Sequence, residues 1–100
     1  MQTPKGVRFM YPAGTFTDAG TIAKTGVALE TAFVGAYLGA VEALKDNDLK
    51  GVAALVGANE AQHLATFKRL AAGDTLVPSP SFPTSLTATQ ATAAVTPFLA

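Results

Sequence analysis

Apolar positions along this chain recur with the period of helices. Placed at 100° steps, Ala23, Gly26, Glu30, Phe33, Val34, Tyr37, Val41 and Leu44 share one face, and Leu49, Ala53, Val56, Glu60, His63, Leu64 and Phe67 share another. Residues 18–45 and 47–72 are rich in alanine and other helix formers and contain no proline. They predict two long helices of roughly 25 residues, each about 37 Å at 1.5 Å per residue. Asp18 is a preferred N-cap for the first, with Thr15 and Asp18 as an alternative capping box. Lys45-Asp46-Asn47-Asp48 reads as a turn whose acids and amide can cap the second helix. Lys68 and Arg69 in its last turn suit the negative end of the helix dipole, and Gly73 just beyond suits a left-handed cap. So short a connection makes the pair antiparallel. Thr87 and Gln90 form a capping box for a short last helix, which Pro97 limits. The predicted fold is all-α: residues 1–17 an irregular arm, 18–72 a helical hairpin, and 73–100 a proline-rich loop (Pro78, Pro80, Pro83) followed by the short helix.

Composition narrows the function. Lys+Arg and Asp+Glu number 7 each in 100 residues, so there is no basic excess for nucleic acid and no polybasic signal for an anionic membrane. Hydrophobic residues at 49% and charged residues at 14% describe a folding chain whose charge-poor surface suits a covering partner. With no cysteine, disulfide scaffolds, thiolate zinc sites and cysteine nucleophiles are excluded. The uncharged, hydrophobic stretch Thr31–Val41 is too short to span a bilayer. Met1-Gln2-Thr3-Pro4-Lys5 lacks the apolar core of a signal peptide, so a cytoplasmic protein without membrane or nucleic-acid partners is expected. Ser79, Ser81 and Ser85 have no acid–histidine partners at a readable spacing, and no glycine-rich phosphate loop is present.

The polar residues that matter lie on the wrong faces for solvated charges. Glu30 sits mid-stripe in the first helix, and Glu60 and His63, one turn apart, sit mid-stripe in the second. Lys24, Glu42, Lys45, Lys50 and Lys68 fall to the side. A carboxylate buried alone costs several kcal/mol or takes up a proton. Carboxylate and imidazole are natural ligands of iron, manganese and zinc, and Glu60-Ala61-Gln62-His63 has the Glu-x-x-His spacing of di-iron bundles. Antiparallel pairing carries Glu30 towards Glu60. The competing reading is a Glu–His hydrogen-bonded pair on a partly exposed face. Tyr37, two turns beyond Glu30, is either an amphipathic core aromatic or a catalytic candidate, as a hydrogen-bond donor to a metal ligand or a redox-active side chain. Asn59 and Gln62 fall off the stripe. Opposite Glu30, Ala28, Ala32, Gly35, Gly39 and Ala43 make a small-residue face open to the C-terminal segment or to another subunit.

One hairpin supplies two glutamates and a histidine, whereas a dinuclear carboxylate site takes about twice that. A two-fold dimer provides it, with Glu30, Glu60 and His63 from each chain, and encloses stripes that two helices cannot bury alone. The expected assembly is therefore a homodimer or a higher oligomer.

The run Ala28-Leu29-Glu30-Thr31-Ala32-Phe33-Val34-Gly35-Ala36-Tyr37-Leu38-Gly39-Ala40, followed by Ala58-Asn59-Glu60-Ala61-Gln62-His63, resembles the second half of the ferritin-like domain of desiccation-related proteins. The Phe-x-Tyr-Pro-x-Gly-x-Phe stretch from Phe9 to Phe16 and the Phe82-to-Phe98 segment are similar as well. That family carries two upstream helices with their own Glu and Glu-x-x-His, which this chain lacks; it is either a fragment or a natural half that dimerises. The layout is also similar to encapsulated ferritins, two-helix chains that pair to build a ferroxidase centre between subunits. The resemblance implies a four-helix ferritin-like bundle, a di-iron site on Glu30, Glu60 and His63, and oxidation of Fe(II), with Mn or Zn as other occupants. It does not imply iron storage, because a hairpin dimer has no cavity. The alternatives are a non-catalytic helical interaction domain, in which the same three residues form a hydrogen-bonded cluster without metal, and a half-domain that binds a separate partner.

Overall fold

Asp18 starts the first helix in this computed structural model, which describes residues 5–73 and 83–100. Its side chain accepts from the backbone N–H of Thr21 at 2.8 Å, and α1 runs Ala19–Ala43. These hydrogen bonds from Thr21 hold the Asp18 carboxyl below its usual range. Thr15 takes no part in a capping box; its buried hydroxyl instead donates to the carbonyl of Pro12 at 2.7 Å.

Asp46 caps α2 (Asn47–Ala71) by accepting from Leu49 N–H at 3.0 Å. Asn47 and Asp48, expected in the turn, are the first residues of α2, so the turn is Leu44-Lys45-Asp46. Three residues cannot carry the chain sideways, and the two helices lie against each other as a hairpin. Gly73 follows at φ +71°, where its missing Cβ avoids the left-handed penalty. The prolines Pro78 and Pro80, with Ser79 and Ser81, lie outside the described residues. Thr87 and Gln90 form the expected capping box for α3 (Ala88–Val95), and Pro97 falls in the 3₁₀ turn Thr96–Phe98 that ends it.

The small-residue face of α1 is covered by the chain's own C-terminal segment. The N–H of Leu86 donates to the carbonyl of Gly35 at 2.8 Å. A Cβ on Gly35 would stand 2.7 Å from the Thr84 carbonyl oxygen, and one on Gly39 would collide with the Leu86 carbonyl. Ala32 is buried in the same seam, whereas Ala28 and Ala43 at its margins are exposed. The N-terminal arm is tied to the other end of this segment: Met10 N–H donates to Phe98 at 2.8 Å, and Ala100 N–H to Arg8 at 2.9 Å.

The core between the helices is thin. Among the described residues its buried hydrophobics are Ala23, Val34, Ala53 and Leu64, two of them alanines, with Ala32 buried on the other face of α1. Leu49, placed by its spacing on the buried stripe of α2, is 54% exposed. It lies in the first turn of α2, level with the end of α1, where no neighbouring helix remains to cover it. By length and composition α1 is apolar enough to cross a bilayer, which Thr31–Val41 taken alone is not. Two of its faces are packed, one on α2 and one on Thr84–Leu86.

Candidate metal centre

Glu30 projects from the middle of α1, and Glu60 and His63 from the second half of α2. The antiparallel hairpin sets these two places side by side. His63 Nδ1 lies 3.5 Å from Glu30 Oε1 and 3.4 Å from Glu60 Oε2. One ligand-type atom from each residue falls within 4.8 Å of the others, so the group could hold a metal ion. The three residues singled out from spacing are therefore brought together.

The cluster is graded from dry to wet. The side chain of Glu30 is 12% exposed, that of Glu60 19%, and that of His63 49%. Glu30 Oε2 is buried and has no hydrogen-bond partner among the described residues. Burial first, and the neighbouring Glu60 carboxylate second, push the Glu30 carboxyl up to about 7, against the opposing pull of His63. When both acids are ionised Glu30 Oε2 lacks a donor; a proton shared with Glu60, or a cation, supplies what is missing.

Apolar residues brace the cluster on both sides. Gly26, one turn before Glu30, lets the Phe67 ring come so close that a Cβ there would meet Phe67 Cδ1 at 2.5 Å. One turn past Glu30, Val34 is almost wholly buried. These layers lie one turn to either side of Glu30, whose Oε2 is buried.

Tyr37 is not joined to the cluster: its hydroxyl makes no hydrogen bond to a described residue. It packs on α2 at Gly57, where a Cβ would stand 3.2 Å from Tyr37 Cβ. Asn59 and Gln62 are exposed, as their places off the stripe imply. Residues missed by the reading of the stripes are Val52 and Leu70, exposed at 56% and 53%. Their spacings from His63, eleven and seven residues, put all three on one edge of α2. The repeated interval was the available signal that these two apolar residues share the exposed edge of the histidine, which also carries Asn59.

A sequence model of the ferritin-like domain matches residues 1–73. No curated protein and no solved structure matches the chain.

Proposed function

The chain belongs to the ferritin-like domain family, and on that premise we propose that it is a carboxylate metal protein whose paired copies hold a di-iron centre and oxidise Fe(II). The observation that carries this reading is the convergence of Glu30, Glu60 and His63 around a buried carboxylate oxygen with no partner among the described residues. Two carboxylates and an imidazole suit iron, with manganese and zinc as chemically acceptable occupants. When bound, iron supplies the redox chemistry. Glu30 and Glu60 supply negative charge from a desolvated position, and His63 supplies a nitrogen from the solvent side.

The pairing of copies rests on the ligand count and on exposed surface. One chain offers half of the donor set of a dinuclear carboxylate site. Val52 and Leu70, three turns before and two turns after His63, share its exposed edge of α2, so a second copy meeting that edge would bury them together with the histidine.

Anaerobic titration with Fe(II), followed by oxygen uptake and light scattering, tests the reading. The wild type should bind iron in a dimer and consume oxygen faster than buffer, and Glu60→Ala and His63→Ala should not. Mutants matching wild type would sink it. The second reading is a helical interaction domain, or a ferritin-like half-domain, with no metal. What favours it is that His63 Nδ1 already lies within ion-pair distance of both carboxylates, at 3.5 and 3.4 Å.

A further inference from the structure

Glu60 and His63 share α2, one turn apart, so their spacing is set within one helix. Glu30 comes from α1, and its 3.5 Å approach to His63 depends on how closely the two helices lie. Helix separation follows the side chains at the contact, over about 8–10 Å between axes. One such contact pairs Gly26 with Phe67. Gly26 is four residues before Glu30 and Phe67 four after His63, so both stand one turn, about 6 Å, from the ligands and on the same side of them. The ring fills the space that a side chain at residue 26 would need: a Cβ there would lie 2.5 Å from Phe67 Cδ1 and 2.6 Å from Cε1 and Cγ. Cγ is only one carbon removed from the α2 backbone, so it has little freedom to swing away. A Cβ at residue 26 must turn the ring out of its seat or push the helices apart. The other glycine seat, Gly57 with Tyr37 Cβ 3.2 Å from where its own Cβ would stand, is looser, and Tyr37 lies two turns from Glu30.

We propose that Phe67, seated on Gly26, is a positioning residue of the metal centre: this contact sets the helix separation that brings Glu30 to His63. The inference rests on the metal reading above. Ligand atoms about 2.1 Å from one tetrahedral ion stand about 3.4 Å from each other. His63 Nδ1 already lies 3.5 and 3.4 Å from the two carboxylates, so the donor set has little slack to absorb a shift of one helix against the other. A site about 1 Å too loose keeps its ligands and loses its function. Phe67 touches no ion and acts only through the spacing of α1 and α2.

The test uses the full chain, with Zn(II) affinity from calorimetry and the visible spectrum of bound Co(II) as the signature of ligand geometry. Melting in chelator shows which variants are folded at the assay temperature. Gly26→Ala should weaken Zn(II) binding at least tenfold, within the range of residues that orient metal ligands, and should alter the Co(II) spectrum. Phe67→Leu is milder, leaves the seat partly empty, and should weaken binding about threefold or more. It carries the test if Gly26→Ala does not fold. Together the two changes exchange ring atoms for a methyl group across one contact, so the double variant should bind Zn(II) more tightly than either single variant. If Phe67 only packs, every folded variant binds Zn(II) as wild type does, and that result overturns the proposal. So does a double variant that binds no better than Phe67→Leu. Wild type that binds neither metal overturns the metal reading and this proposal with it; wild type that binds while the variants match it removes Phe67 alone.

Discussion

His63 Nδ1 stands 3.5 Å from Glu30 Oε1, joining two residues thirty-three positions apart through the hairpin alone. The pair couples a half-exposed imidazole to a nearly buried carboxylate. Its consequences divide between metal binding, pH dependence and packing.

Glu30 makes the metal-free protein sensitive to pH. Its carboxyl is raised from 4.5 to about 7, chiefly by burial. Between those values the folded chain retains a proton that the unfolded chain has released, so stability falls as pH rises through this window and levels off above it. Thermal melts in chelator at pH 5 and pH 8 should show the lower midpoint at pH 8. Glu30→Gln, which cannot ionise, should narrow the difference; an unchanged difference would remove Glu30 as its source.

His63 should be needed for metal but not for folding. It is half-exposed, so His63→Ala leaves little cavity. Even residues that merely orient a ligand typically contribute 10- to 100-fold to affinity, so a loss of at least tenfold is expected for Mn(II) or Zn(II). Calorimetric titration checks this, with circular dichroism showing the helices retained.

The exposed edge of α2 should control assembly. Val52→Glu places a charge three turns from His63, on the edge of α2 proposed to meet a second copy. Light scattering should report a monomer, and metal affinity should fall with it although all three ligands remain. A Val52→Glu dimer that binds metal like wild type would move the interface elsewhere.

Two glycine substitutions should have opposite signs. At Gly39 a Cβ collides with the Leu86 carbonyl, a backbone atom that cannot swing away. Gly39→Ala should therefore destabilise by about 1–3 kcal/mol of overpacking, outweighing the gain of about 1 kcal/mol in helix propensity. Gly51 has nothing within 4 Å of a Cβ, and Gly51→Ala should stabilise by about 0.5–1 kcal/mol. Denaturant unfolding of both variants provides the comparison.

The cap of α2 is a simpler case. Asp46→Ala removes the acceptor for Leu49 N–H, and a loss of about 1 kcal/mol is expected. Hydrogen exchange should quicken first at the start of α2, because the cap acts on that turn alone.

Much of this was legible in the chain because it is local. Asp18, Asp46 and the Thr87–Gln90 pair announce helix starts through side chains that reach their own backbone. The 3.6-residue period placed Glu30, Glu60 and His63 on facing stripes, and a short turn leaves antiparallel pairing as the arrangement that joins them. What depended on residues distant in sequence was not legible. Spacing put Leu49 on a buried stripe, but burial requires a neighbour, and α1 has ended at that level. Spacing showed that Gly35 and Gly39 form a close-approach face; that Thr84–Leu86 fills it, and not another subunit, was decided by where the chain returns. The same holds for Tyr37, whose place two turns from Glu30 is a matter of helical period. Its seat against Gly57, apart from the cluster, depended on which small residues α2 presents across from it. Local hydrogen bonding and periodicity belong to the sequence itself; exposure, partners and the raised proton affinity of Glu30 arise only when the two helices exclude water between them.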